Sequence, residues 1–201
     1  AAFDSGQTFA AELATDNHAD LQQLADDFWR THIVAQAALA QVLAENGDTP
    51  DAWLAEVRPY LSKPYLRTPA IDSAALLAAR EAAAAAWAPL QADSATLAEG
   101  CALLLAAEGL KQTSYKPAQC QRYVRLLQML AADASLPQLS SAQAKDLARL
   151  GQSQLDKGVN KGHSAPQHRL FALVDGWLAA WDSYSRQLAQ NIAGLKLAMI
   201  A

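Results

Sequence analysis

Apolar residues along this chain fall three and four positions apart over long stretches, the spacing that puts them on one face of an α-helix. From about Phe9 to Asn46 there is no proline or glycine, and Leu21, Leu24, Phe28, Ala35, Leu39 and Val42 form such a face. The spacing predicts one helix, stopped at Asn46-Gly47-Asp48-Thr49-Pro50, where Gly and Pro stand in their usual places after a helix end. Thr49 or Asp48 is placed to cap a short helix through Trp53 to about Tyr60, with Pro50 in its first turn. Three prolines and two tyrosines between Pro59 and Pro69 read as an ordered connector.

Asp72 caps the next predicted helix, which runs to about Gly109 on the stripe Leu76, Arg80, Ala83, Trp87, Leu90, Ser94, Leu97, Cys101 and Leu104. Pro89 removes a backbone donor within it and should bend it. A middle helix is expected from Pro117 to about Ala134, with Tyr123, Leu127 and Leu130 as its face, before Leu136-Pro137 breaks it. Ser140 or Ser141 caps another, to about Asp156, and Gly158 to Pro166 forms a connector. The last helix, from about Pro166 to the end, carries Leu170, Val174, Trp177, Trp181, Tyr184, Leu188, Asn191, Leu195 and Ala198.

Alanine dominates the composition, with Leu and Gln behind it, and β-branched Ile and Val are scarce. Ala, Leu and Gln lose little entropy in a helix, whereas strands favour the residues that are missing. The expected fold is therefore all-α. Leu76 to Leu170 and Trp87 to Trp181 are the same 94 residues apart, and at that shift Lys63 meets Lys157 and Gly100 meets Gly194. These matches point to an elongated helical bundle of two tandem modules, 1–112 and 113–201, related by a pseudo-repeat. Any two heptad-patterned helices also align once their stripes are in phase. On either reading each stripe must be buried against neighbours at shallow crossing angles.

Lys plus Arg is 16 and Asp plus Glu is 20, a net charge of −4. That balance argues against a nucleic-acid binder, whose footprint is a basic excess. No apolar run reaches the roughly 18 residues of a membrane span. The first residues, Ala-Ala-Phe without Met, are expected to follow a removed segment. On helices joined by a loop near Thr113–Pro117, Cys101 and Cys120 would sit roughly 10 Å apart along the axis, so two inert buried thiols are expected. His18 and His32 would be roughly 21 Å apart on one helix and cannot share a metal. His163 and His168 flank Pro166 with no acidic or Cys residue at ligand spacing. There is no Glu-x-x-His pair, no Gly-x-Ser-x-Gly elbow and no Cys with a nearby His. The expectation is a protein that is not an enzyme, with no cofactor and no bound metal.

Trp87-Ala88-Pro89-Leu90, followed by Leu97-Ala98-Glu99-Gly100 and Leu103-Leu104-Leu105, resembles the N-terminal helical sensor module of type IV pilus methyl-accepting chemotaxis transducers. Arg122-Tyr123-Val124-Arg125-Leu126-Leu127-Gln128 is similar to that family's Arg/Gln-rich helix, although the characteristic Gly-Arg-Gln-Arg-Met-Leu run is absent. The resemblance covers about half the chain. It implies a periplasmic, usually dimeric receptor domain, often of two such modules, between two membrane spans. The apolar stretch from Ile192 to Ala201 would then lead toward one of those spans.

Three arginines are the candidate ligand contacts. Arg80 occupies a stripe position whose counterpart at the 94-residue shift is Val174. A buried cation must be paired, either by Asp or Glu of a neighbouring helix or by an anionic ligand. Arg122 and Arg125 lie three residues apart on one helical face, as a fork for a carboxylate or phosphate or as a solvated rim. Trp87, Trp177, Trp181 and Tyr184 either line a pocket or belong to the core. The functional expectation is a non-enzymatic, chemoreceptor-like sensor domain that takes a small anionic ligand or a protein partner, as a possible homodimer. The alternative is a soluble, cytoplasmic adaptor or immunity-type protein whose stripe helices pack on a partner.

Overall fold

The structure is a computed structural model that describes residues 18–61, 63 and 69–200. It is all-α: the described residues form helices and no strand. The chain divides into two compact units, one within Ala1–Arg67 and Lys196–Ala201, the other Thr68–Leu195. The boundary expected between Gln112 and Thr113 falls inside the second unit.

In the first unit the single helix expected over 9–46 is interrupted. Its described part consists of α1 (His18–Phe28), a π-helical stretch (Trp29–Val34) and α2 (Ala37–Glu45); positions 9–17 lie outside the described residues. A π turn bonds i to i+5 and is wider than an α turn, so a stripe counted at 3.6 residues per turn loses its register. Ala35, just beyond the π stretch, is exposed; Leu24, in α1 before it, is 47% exposed, while Ala25, Ile33, Leu39, Val42 and Leu43 are buried. Thr49 caps α3 (Pro50–Val57), its Oγ1 accepting from the amide of Ala52 at 3.2 Å, and Pro50 opens the helix. Asp48 instead accepts from Trp53 Nε1 at 2.7 Å and fixes that buried ring. Trp53 packs edge-on to Trp29 at 4.8 Å. Near it, Lys196 Nζ lies 2.6 Å from Glu56 and 5.7 Å from the Trp53 ring centre.

In the second unit Asp72 caps α4 (Ser73–Ala92), its Oδ1 accepting from the amide of Ala75 at 2.9 Å. The helix expected to reach Gly109 breaks at Asp93, four residues beyond Pro89, and restarts as α5 (Ser94–Ala106). Asp93 is itself the cap: its carboxylate accepts from the Thr96 amide at 2.9 Å and the Thr96 hydroxyl at 2.6 Å. The counterpart of Asp93 at the 94-residue shift, Gln187, lies inside an unbroken helix, so the helix ends do not follow the pseudo-repeat.

Next comes α6 (Pro117–Ala131), which buries Tyr123 and Leu127 as expected and Cys120 and Val124 beside them. Ser140 and Gln143 form a capping box at the start of α7 (Ser141–Ala148). The helix expected to run on to Asp156 is broken before α8 (Gln152–Lys157). The break is a tertiary effect. Asp175, on α9 (Arg169–Ala198), accepts from the Ser153 amide at 2.8 Å and the Ser153 hydroxyl at 2.9 Å, and so caps α8 from outside. Gly151 makes room for that carboxylate, because a Cβ there would collide with it. The expected stripe of α9 is buried at Leu170, Val174, Trp177, Tyr184, Leu188, Asn191 and Leu195.

Two predictions follow from these caps. Gly151→Ala forces the Asp175 carboxylate aside and is expected to lower stability by about 1–3 kcal/mol, measured by urea unfolding. The loss should shrink in an Asp175→Ala background; an equal loss in both backgrounds would rule out the steric account. Hydrogen bonds from the Thr96 hydroxyl and amide hold the Asp93 carboxyl below its ordinary range, with Arg169 adding to the effect. The stability this contributes is present above the unfolded carboxyl pKa of about 4 and is lost as pH falls through the lower folded value. Acidification should therefore cost wild type more Tm than Asp93→Asn, which caps without titrating. Parallel Tm profiles for the two proteins would remove Asp93 from the acid response.

Candidate functional site

Of the candidate residues, Arg122 and Arg125 lie on α6, whereas Arg80, Trp87, Trp177, Trp181 and Tyr184 lie on α4 and α9, which meet along a seam. Trp87 and Trp177 meet there with ring centres 4.3 Å apart. Toward the start of α4, the Asp72 amide donates to Asn191 Oδ1 at 2.9 Å. Asn191, buried at 1% exposure, donates in turn to the carbonyl of Gln187 at 2.9 Å. These contacts show that α4 and α9 run antiparallel. Gly194 allows the closest approach, since a Cβ there would strike Ile71 and the Pro69 carbonyl.

Arg80 lies on the α4 stripe between those two contact points, part-buried, with its Nε enclosed. Trp87 and Trp177 are almost fully buried, and their indole Nε1 groups find no acceptor among the described residues; the same holds for Trp181. Indole and guanidinium groups donate hydrogen bonds and accept none. The three indoles thus add buried donors to a seam whose acceptors include Asn191 Oδ1. Sequence reasoning placed the four side chains on matching stripes, but the stripe pattern carries no sign of where an indole N–H ends.

Arg122 and Arg125 are both exposed on α6. Arg122 donates to Asp146 of α7 at 2.6 Å and lies over the Tyr123 ring at 5.4 Å, so it joins α6 to α7. The fork of two arginines is occupied on one side by this internal carboxylate, and Arg125 extends the cationic edge beside it.

The remaining chemistry-bearing residues have structural surroundings. Cys101 and Cys120 are free, buried thiols, and burial pushes Cys101 up to about 11 and Cys120 upward. Thiols so shifted are poor nucleophiles. Burial likewise pushes the Tyr115 hydroxyl up to about 12, where it donates to the carbonyl of Arg149 at 3.1 Å. His168 Nδ1 accepts from the amide of Leu170 at 3.2 Å, and His163 packs on Gly109, whose φ is +82°. His32 stacks on Phe28 at 4.6 Å. No group of three His, Cys, Asp or Glu side chains that could hold a metal occurs among the described residues. Nor is any helix among them long and apolar enough to cross a membrane.

A second concavity, of about 530 Å³, opens in the first unit between α1 and α3. Leu21, Leu54 and Ala55 form its apolar part, with Gln22, Asp51 and Arg58 around it. The sequence pattern does not say that α1 packs across from α3 and so left this groove out, although Asp51, Leu54 and Ala55 of α3 and the following Arg58 are spaced three and four apart on one face.

Comparison with known proteins finds no family model that matches the chain and no curated protein sequence that matches it.

Proposed function

We propose that this chain is a non-enzymatic, extracytoplasmic sensor domain of a bacterial signal transducer, one that binds a small anionic ligand at the α4–α9 seam. The observation that carries the reading is that three buried indole N–H groups, of Trp87 on α4 and of Trp177 and Trp181 on α9, find no acceptor among the described residues, on the stripes that also carry Arg80. Each of these indole donors costs about 1–3 kcal/mol while it lacks an acceptor, and an oxyanion, which only accepts, would relieve that cost. Antiparallel helices packed along such a seam can shift along one another when a ligand is gripped between them, which is a way to pass a signal on. The similarity of Trp87-Ala88-Pro89-Leu90 and the segments after it to a chemoreceptor sensor module agrees with this reading.

A soluble adaptor that works through a protein partner is the second reading. Leu103 and Leu105 on α5 and Met129 on α6, at 39%, 49% and 61% exposure, favour it. The partner would have to use such outer faces, because the α4 and α9 stripes are largely consumed inside the chain. The native gene product should fractionate with membranes on the first reading and remain soluble on the second.

A thermal-shift panel of small carboxylates and inorganic phosphate tests the leading reading. A ligand at a hundredfold excess over its Kd stabilises by about 2.7 kcal/mol, which in a chain of this size raises Tm by roughly 5–10 °C. At least one anion should give such a rise, and Arg80→Ala should abolish it. A rise that survives in Arg80→Ala would place the ligand elsewhere. No rise with any anion would overturn the reading.

A further inference from the structure

In the first unit α1 and α3 face one another across a groove. The α3 face reads Asp51, Leu54, Ala55 and continues to Arg58 just after the helix, and the groove of about 530 Å³ runs along it, closed on the other side by His18, Leu21 and Gln22 of α1. This volume is within the usual range for small-molecule sites, roughly 300–1,000 Å³. Leu54 is buried and Leu21 half-buried, so the middle of the groove is apolar, whereas Asp51 and Arg58 are exposed at its two ends. The groove is therefore anionic at one end and cationic at the other.

Asp51 and Arg58 are seven residues apart, about 10.5 Å along the helix axis at 1.5 Å per residue; the Asp51 carboxylate is short and held by Gln22, while the long Arg58 side chain can lean inward and shorten the gap. Asp51 accepts one hydrogen bond, from Gln22 Nε2. A carboxylate has about four acceptor positions, so this one can also take an ammonium group. Arg58 presents the planar fork that matches a carboxylate. An α-amino acid carries its two charges too close together to reach both ends. A dipeptide, at up to about 3.6 Å per residue, spans about 7 Å.

The geometry points to a binding site for a short, free apolar dipeptide in the α1–α3 groove. Its ammonium group lies at Asp51, its carboxylate at Arg58, and its side chains lie over Leu21, Leu54 and Ala55. This site belongs to the first unit and does not depend on anion binding at the α4–α9 seam, so either can fail without the other.

Leucyl-leucine titrated into the full chain by calorimetry is the test, beside its N-acetylated and C-amidated forms and free leucine. Leucyl-leucine should bind, and acetylation should weaken it by about tenfold in wild type but not in Asp51→Asn. Amidation should weaken it by a similar factor in wild type but not in Arg58→Gln. Both substituted positions are exposed, and unchanged far-UV circular dichroism shows that the variants fold. Three results would overturn the proposal: no binding at millimolar dipeptide, blocked peptides that bind as well as the free one, or leucine that binds as tightly as leucyl-leucine.

Discussion

The contact between Trp87 and Trp177 is the interaction on which the second unit depends. Two indoles at 4.3 Å, each excluded from water, tie α4 to α9 at the heart of the core. Burying large aromatic rings removes more apolar area per residue than any aliphatic pair, and their mutual contact adds to it. Once α9 is fixed, its other side chains act on the elements around it. Leu170, Phe171 and Val174 complete the core, Asp175 ends one helix and starts the next, and Asn191 receives the amide of Asp72 just before α4. Most of the second unit's local structure is thus referred to one long helix.

The same seam concentrates hydrogen-bond donors where apolar packing alone would leave none. An arginine on a buried stripe is a departure from the pattern of Leu and Ala around it, and such departures mark places where packing has been compromised for another purpose. The surroundings of the thiols and tyrosines point the other way. Cys101, Cys120, Tyr115 and Tyr123 are all shifted toward their neutral forms by burial, the behaviour of packing residues.

Much of the architecture was legible because helix signals are local. Thr49, Asp72 and Ser140 cap the helices that their positions announce, and the α9 stripe buries the residues that its three-and-four spacing selects. The errors share a cause too. The Asp93 break was visible as Asp-Ser-Ala-Thr, an N-cap signal overridden by a stripe that continues in phase across it. The α7–α8 break was not visible locally, because Asp175 lies 22 residues from the Ser153 that it caps. The π-helical stretch was hidden as well, since no residue type in Trp29–Val34 marks it, and beyond it Ala35 is out of the expected core. Of the candidate site, Arg80 was legible as a misfit on its stripe. The engagement of Arg122 by Asp146 and the groove beside α3 required contacts between helices that periodicity does not encode.

The most direct measurement of the central claim is a double-mutant cycle on Trp87 and Trp177, read by urea unfolding with far-UV circular dichroism. Each single alanine substitution should cost about 3–5 kcal/mol. The double variant should lose less than the sum by about 0.5–3 kcal/mol, because the two rings share one contact; phenylalanine in place of alanine keeps the cycle measurable if the double alanine variant does not fold. Strictly additive losses would contradict the account, since they would mean that the two rings support the fold separately and that the seam is not its organising contact.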